Sequence, residues 1–192
     1  QAVRWMPMEK WDKCEFAVSE DDLEGQVCYG GLDLSSTTDI TAFVLVFPPE
    51  DENDKYIILP YFWIPEDNLE LRVRRDHVPY DVWERQGYLQ TTEGNVVHYG
   101  YIEKFIESLG ERFNIREIAF DRWGAVQMVQ NLEGMGFTVV PFGQGFKDMS
   151  PPTKELMKLV LEQRIAHGGH PVLRWMMDNI FIRTLSLIHI SE

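Results

Sequence analysis

Three aspartates lie at or near the ends of apolar, strand-like runs in the sequence. Asp33 ends an otherwise apolar, strand-like run at residues 27–32, and Asp121 ends a second such run at residues 115–120. An acid inside an apolar strand costs free energy unless it is paired or holds a cation. Asp39 follows Asp33 across a turn rich in serine and threonine, whose hydroxyls satisfy turn backbone and let the chain return as a hairpin. These residue types favour a carboxylate site for a cation.

Composition limits the classes of protein to which such a site can belong. The chain has 192 residues, 44% of them hydrophobic and 26% charged, as expected for one ordinary globular domain. No apolar run approaches the roughly 20 residues that span a bilayer. Its two cysteines, Cys14 and Cys28, are too few for a disulfide framework and are interpreted as reduced. The formal net charge of −13 opposes non-specific binding to nucleic acid, so a DNA-binding role would need metal ions, local basic residues or a partner domain.

The hydrophobic pattern predicts the elements that position the acids. Residues 27–47 are predicted to form two strands joined by a polar turn, and residues 56–63 a third strand that completes an antiparallel meander. After residue 101, helical and strand patterns alternate, which favours parallel strands joined by crossover helices. Helices are predicted at 70–76, 80–86, 101–114, 125–135 and 172–180, and at a segment beginning with Pro151 and Pro152 whose buried stripe is Met157, Val160, Leu161 and Ile165; further strands are predicted at 87–92, 115–120 and 137–142.

This order of elements is typical of an α/β, ribonuclease-H-like mixed sheet flanked by helices, in which three antiparallel strands precede parallel ones. In that order the first and fourth strong strands lie side by side, so Asp33 and Asp121 could share a divalent cation. Hard carboxylate oxygens suit Mg²⁺ or Mn²⁺. Two such ions roughly 4 Å apart can support hydrolysis of a phosphodiester.

Three sequence blocks carry a resemblance to a known family. They are GGLDLSSTTDITAF around Asp33, AFDRWGA around Asp121, and MSPPTKELMKLVLEQRIAHGGHPVLRWMMDN at residues 149–179. Over roughly residues 1–183 the chain resembles the nuclease domain of the large terminase subunit of tailed bacteriophages. The resemblance implies a metal-dependent endodeoxyribonuclease that cuts concatemeric DNA during packaging, with two Mg²⁺ or Mn²⁺ ions in the complete domain. By the same resemblance Asp33 and Asp121 are the first and second catalytic metal ligands, and Asp39 is an accessory acid.

The resemblance also implies a domain layout and partners. Residues 1–24 are expected to be an extended connector from an amino-terminal ATPase domain, because residues 5–23 carry no clear hydrophobic period. Residues 25–184 are expected to form the nuclease domain, and residues 185–192 to be a non-native tail. The sequence contains no P-loop, so this piece is not expected to translocate DNA. The family's third carboxylate, on a carboxy-terminal helix beyond Asn179, is missing, which leaves the activity of the fragment open. Double-stranded DNA, the small terminase subunit and the portal are the implied partners, in the host cytoplasm and away from membranes.

Several other residues invite functional interpretations. Arg122, next to Asp121, is a candidate contact for a DNA phosphate. The basic run Arg72, Arg74 and Arg75 is interpreted mainly as a solvated helix face, with contact to the substrate backbone as the alternative. His167 and His170 are interpreted as residues of a glycine-rich helix end rather than metal ligands, and Trp123 and Trp175 as core or groove aromatics rather than base-stacking platforms.

Two other functional classes remain open from the residues. The missing third acid allows a non-catalytic docking module for DNA or portal. The run from Asp33 to Thr38 also resembles the phosphate-binding hairpin of actin-like ATPases and sugar kinases. That fold needs a duplicated domain and a second glycine-rich loop, and neither is visible in this sequence.

Overall fold

The computed structural model describes residues 2–34, 40–121 and 126–183. The strands are β1 (Ala2–Arg4), β2 (Val27–Asp33), β3 (Thr41–Phe47), β4 (Tyr56–Pro65), β5 (Gln90–Thr92), β6 (Asn114–Asp121), β7 (Val139–Phe142), β8 (Ile165–Ala166) and β9 (Phe181–Arg183). The helices are α1 (Met8–Asp12), α2 (Leu69–Asp76), α3 (Tyr80–Arg85), α4 (Tyr99–Arg112), α5 (Val126–Gly134), α6 (Phe146–Leu161) and α7 (Pro171–Asp178).

The main sheet has the mixed topology that the sequence predicts. Its strand order is β5-β4-β3-β2-β6-β7, with β8 pairing with β4 off this path. β2, β3 and β4 form the antiparallel meander, whereas β6 runs parallel to β2 and β7 runs parallel to β6. The carboxyl ends of β2, β6 and β7 therefore lie along one edge of the sheet, called here the carboxyl edge, and their starts lie along the amino edge.

β2 shows why these residues form a central strand. Cys28, Gly30 and Leu32 are buried, whereas the alternate positions are exposed or half-buried, which is the period of a strand with one face on a core. Gly30 is required by a close approach, because a Cβ atom there would lie 2.9 Å from the ring of Phe43 on β3. The absence of a side chain at Gly30 therefore leaves room for this ring against the strand.

Two hydrophobic clusters occupy the two faces of the sheet. One joins β2, β3 and β6 to α4 and α5, through residues such as Phe43, Ile106 and Leu132. The other joins β4 to α1, α3, α6 and α7, through residues such as Phe62 and Trp83. Burial of apolar side chains in these two clusters stabilises the sheet on both faces. It thereby fixes where the ends of the strands lie.

The predicted start of α6 is wrong. The helix begins at Phe146 after the extended Gly145, so Pro151 and Pro152 lie inside it. Each proline lacks an N–H that could donate to the preceding turn. One residue later, Thr153 Oγ1 donates to the Met149 carbonyl oxygen at 2.6 Å.

The predicted buried stripe of this helix is also partly wrong. Leu161 is 51% exposed, and Ile165 belongs to the short strand β8 rather than to the helix. The helix stops before Ile165 because Gln163 takes a left-handed backbone conformation with a φ of 54°. That conformation ends the helix and turns the chain toward β4.

The segment before β2 is folded against the domain. Contrary to the extended chain that the sequence suggested, it contains α1 and buries Trp11, Cys14 and Leu23. β1 and β9 pair antiparallel as a separate two-stranded sheet. Connection to a preceding domain remains a prediction for residues 1–24.

Candidate functional site

The register of β2 and β6 determines where Asp33 and Asp121 lie. Leu32 pairs with Phe120 across the parallel strands, and the two aspartates are the next residues on each strand. Neighbouring strands run about 4.8 Å apart. Because Leu32 and Phe120 are 5% and 4% exposed on one face, alternation directs both aspartates to the opposite face. The strand ends thus bring two carboxylates to the same face of the carboxyl edge.

The two acids differ in exposure and in the strand that lies on their other side. Asp33 is exposed and pairs in register with Ala42 of β3, whereas Asp121 is half-buried and pairs with Phe142 of β7. Asp121 therefore lies between two parallel neighbours, β2 and β7, whereas Asp33 lies between the parallel β6 and the antiparallel β3.

Two of the sequence-predicted site residues, Asp39 and Arg122, lie outside the described residues. So does Trp123, which the sequence analysis interprets as a core or groove aromatic. Within residues 2–34, 40–121 and 126–183, no group of three or more His, Cys, Asp or Glu side chains is arranged to hold a metal ion. The described part of the site is thus a pair of acids.

The start of α6 adds two charged residues to this edge that sequence reasoning missed. Gly143 follows β7, and the carboxylate of Asp148 occupies the space where a Cβ of residue 143 would lie. Lys147, beside it in the first turn of α6, is exposed. These two residues were missed because the helix was predicted to begin at Pro151. An acid such as Asp148 is nevertheless a common signal of a first helical turn.

The basic run on α2 is largely engaged within the fold. Arg72 is 7% exposed, lies 3.7 Å from Asp76 and stacks over the Tyr80 ring at 5.1 Å. Arg75 donates a hydrogen bond to Asp76 at 2.7 Å. This bond, together with one from the Tyr80 hydroxyl, lowers the pKa of the Asp76 carboxyl to about 2. Arg74 is exposed. The interpretation of the run as a solvated helix face is therefore wrong for Arg72.

His167 has a structural role. Its Nε2 lies 2.7 Å from the Trp11 carbonyl oxygen, and its Nδ1 accepts from the Gly169 N–H at 3.0 Å. Its ring stacks on Trp11 with centroids 4.3 Å apart. Burial lowers its pKa, which favours the neutral ring that these contacts need. Both ring nitrogens are engaged, so His167 is no metal ligand in this arrangement.

His170 and Trp175 also pack inside the fold. His170 Nδ1 accepts from the Leu173 N–H at 3.4 Å and so caps α7, and burial lowers its pKa to about 4. Trp175 packs against Tyr80 and Trp83 with centroids 5.7 and 6.1 Å away. These contacts agree with the interpretation of both residues as structural.

Within the described residues, none of the helices is long and apolar enough to cross a membrane.

Comparison with known proteins assigns the family. A family model described as terminase large subunit, endonuclease domain, matches residues 1–185. The large terminase subunit of Enterobacteria phage HK97 is 42% identical over 147 residues, which cover 76% of this chain and 29% of that protein. Protein YmfN of Escherichia coli strain K12 is 26% identical over 182 residues, which cover 91% of this chain and 40% of that protein. The chain thus spans less than half the length of these curated relatives.

Solved structures agree with this assignment. The crystal structure of the HK97 bacteriophage large terminase matches with a TM-score of 0.84 and 35% identity, covering 94% of this chain and 37% of that one. The large terminase nuclease from thermophilic phage G20c shares the fold at a TM-score of 0.55 and 11% identity, covering 85% of this chain and 71% of that one. The ribonuclease-H-like fold is thereby confirmed, and the family replaces the actin-like alternative. The chain belongs to the family of terminase large subunit endonuclease domains.

Proposed function

We propose that this domain cuts double-stranded DNA by metal-dependent phosphodiester hydrolysis, with Asp33 and Asp121 as ligands of the metal. The observation that carries the proposal is the register of β2 and β6, which ends both strands in an acid on the same face. In open α/β sheets, ligands bind beyond the carboxyl ends of the strands. These acids stand at that position.

The donor set fits a hard divalent cation. Two aspartates supply carboxylate oxygens, which Mg²⁺ and Mn²⁺ prefer over nitrogen or sulfur donors. The G20c large terminase nuclease, which shares the fold, has been crystallised with bound magnesium and with bound cobalt. Two Mg²⁺ or Mn²⁺ ions in the complete domain are the form that we propose, with Asp39 as an additional ligand.

Bound metal would supply a nucleophilic water and stabilise charge on the leaving oxygen. The residues of this chain have distinct tasks around that chemistry. Asp33 and Asp121 hold negative charge fixed on neighbouring strands, so their oxygens need little rearrangement when the cation binds. Lys147 at the start of α6 and Arg122 after β6 would attract duplex phosphates. Because such contacts release counterions from the duplex, the affinity for DNA should fall steeply with salt, and the net charge of −13 lowers that affinity further.

The wider role follows the family. Large terminase relatives are longer than this chain, and we propose that the domain works beside an ATPase domain, with the small terminase subunit and portal as partners. Its task there would be to cut concatemeric DNA in the cytoplasm of the bacterial host. Asp33 and Asp121, even with the accessory acid Asp39, would hold two ions poorly, so the family's third carboxylate, from a carboxy-terminal helix, would complete the site. The chain of residues 1–192 alone should therefore be a poor nuclease.

A second candidate is a non-catalytic docking module for DNA or portal. It is favoured by the absence of any cluster of three possible ligands among the described residues. Such a module would bind its partner equally well with or without a divalent cation. Plasmid nicking by a protein with the complete site separates the two candidates.

The test is plasmid nicking with Mn²⁺ at low ionic strength. The proteins are this chain, the chain extended by a homologous carboxy-terminal helix that bears an aspartate, and that extension carrying Asp33→Ala. We expect weak nicking by the chain, strong nicking by the extension, and none by the variant. Glu50→Gln, in the exposed turn between β3 and β4, removes a carboxylate elsewhere and should leave nicking unchanged. An inactive extension would favour the docking module, and strong activity of the bare chain would mean that residues already present complete the site.

A further inference from the structure

A groove opens at the amino edge of the sheet, on the side opposite Asp33 and Asp121. Its volume is about 660 Å³, which is within the range of pockets that bind ligands. The groove lies where β2, β6 and β7 begin and where α4 and α5 end. Its lining includes Glu107, Gly110, Glu111, Arg112, Met135 and Phe137.

The floor of the groove is apolar and built by a close approach of two elements. A Cβ atom at Gly110 on α4 would lie 2.8 Å from the ring of Phe137, so this helix and ring touch because residue 110 has no side chain. Ile115 and Phe137 are half-buried beside them, and Met135 at the end of α5 is 36% exposed. Methionine adapts its shape to different apolar partners.

The charge of the groove is acidic. Glu107 and Glu111 are exposed on α4, one turn apart. Arg112 is the only basic residue of this lining, within the part of the chain that the structure describes. Its guanidinium is already engaged, since it contacts Glu24 at 2.8 Å, Glu20 at 2.9 Å and Asp21 at 3.8 Å. Those three acids add negative charge beside the groove.

We propose that this groove is a docking site for a cationic segment of a partner protein that inserts an apolar side chain toward Met135 and Phe137. Lysine or arginine residues of that segment would lie against Glu107 and Glu111, so charge complementarity selects the occupant. Duplex DNA is disfavoured there because its phosphates would meet the same acids.

The position of the groove separates docking from cleavage. β2 has 7 residues, so its two ends are about 20 Å apart. A partner in the groove therefore leaves the carboxyl edge open for DNA, and the domain can be held by one protein while it acts on another molecule. The docking inference does not depend on the nuclease proposal.

The test is fluorescence anisotropy with a fluorescein-labelled amphipathic peptide of about 12 residues that combines lysine and leucine. The protein is this chain, without metal or DNA. We expect Glu107→Lys combined with Glu111→Lys to weaken binding about tenfold, and Met135→Gln to weaken it about threefold without changing charge. The control is Glu50→Lys combined with Glu52→Lys, the same charge change in the turn between β3 and β4, which should alter binding less than about twofold.

Each outcome decides the inference. Equal weakening by the two double variants would mean attraction to an acidic surface in general and would overturn the groove as the site. Absence of binding to the lysine–leucine peptide, or equal binding of the same peptide with glutamate in place of lysine, would also overturn it. Thermal melting of each variant verifies folding, and all of the substituted side chains are exposed. A negative result for peptide binding would not contradict the nuclease proposal. A negative result in the nicking assay would not contradict the docking inference.

Discussion

The two edges of the central sheet use acidic residues in opposite ways. At the amino edge, Glu20 and Glu24 reach across from the segment before β2 to one arginine, Arg112 at the end of α4. At the carboxyl edge, Asp33 and Asp121 are carried by two neighbouring parallel strands to the same face. The first arrangement ties two elements together, whereas the second gathers like charge in one place. The difference teaches that position on the sheet, rather than residue type, separates the acids expected to stabilise the fold from those expected to act on a substrate.

Sheet polarity gives the physical reason for this difference. β2, β6 and β7 all run toward the carboxyl edge, so the last residues of the three strands lie there. Polar side chains at the ends of parallel strands can face a ligand without breaking the hydrogen-bond ladder. At the amino edge the chain enters the strands from α4 and from the segment before β2, and these entries need anchoring. Substitutions at the two edges should therefore change different properties.

The largest expected effect is loss of cleavage from the carboxyl edge. Asp33→Asn or Asp121→Asn, in the protein extended by the carboxy-terminal helix, should lower plasmid nicking by at least about 1,000-fold because the cation loses a charged ligand. Metal-free stability should stay equal or rise, since neighbouring carboxylates repel one another. Nicking rates and thermal melting measure the two effects.

Calorimetric titration with Mn²⁺ provides the independent check on these variants. The weak binding expected for the wild-type chain should disappear in Asp33→Asn, which preserves the shape of the side chain. Binding that is unchanged would move the metal elsewhere. A large fall in the melting temperature of Asp121→Asn would assign that residue to the stabilising class, as at the amino edge.

Acidic pH should destabilise the whole fold through the half-buried His170. Burial lowers the pKa of His170 to about 4, against 6.5 for an exposed histidine. The unfolded chain then binds the proton first, so stability is full above about pH 6.5 and falls as the pH drops toward 4, by about 3 kcal/mol in total. His167, whose pKa is also lowered by burial, acts in the same direction.

Urea unfolding at a series of pH values measures this loss. His170→Asn keeps an oxygen acceptor for the Leu173 N–H at the start of α7 but does not titrate in this range. Its stability should therefore depend less on pH than that of the wild-type chain. Equal slopes for the two proteins would contradict the prediction, and a pH near 7 is the right condition for comparing the edges.

Much of the fold was predictable because its signals are local. The apolar runs of β2 and β6 and the amphipathic pattern of α4 each occupy one short stretch of sequence, and the order of the elements determines their pairing. The positions of Asp33 and Asp121 at neighbouring strand ends follow from the same order. Their role as metal ligands remains a prediction, and Asp39 and Arg122 lie outside the described residues.

The features that sequence reasoning missed depend on contacts between distant segments. α1 has only five residues and is held by Trp11 against His167 and by the paired Asp12 and Arg174, more than 150 residues away along the chain. No local pattern encodes such contacts. The start of α6 was missed because prolines usually mark a first helical turn, whereas here the helix begins five residues earlier. Lys147 and Asp148 were missed with it.

A pair of glycines on α4 sharpens the comparison at the amino edge. Gly110→Ala should lower stability by about 1 to 2 kcal/mol, because its Cβ would lie 2.8 Å from the Phe137 ring and overpacking outweighs the gain in helix propensity. Gly100→Ala is the matched control on the same helix, since a Cβ there meets nothing within 4 Å. That variant should be as stable as the wild type or slightly more stable. Urea midpoints measure both, and a stabilised Gly110→Ala would show that Phe137 can move and that the groove floor is soft.

The smallest expected effect tests whether the two edges are independent. Arg112→Met keeps much of the aliphatic stem but removes the cation that Glu20, Asp21 and Glu24 share, so these acids would repel one another. Because the cluster is partly exposed, the loss should be only about 1 kcal/mol and should shrink as salt is added. The hydrogen bond from the Tyr61 hydroxyl to Glu20, at 2.8 Å, would still hold the segment before β2 in place. Urea unfolding at low and high salt measures the loss, and nicking by the extended protein should be unchanged because β2 keeps the arginine about 20 Å from the carboxyl edge. A fall in nicking comparable to that of Asp33→Asn, with the fold intact, would mean that the amino edge controls the carboxyl edge through the strands that join them.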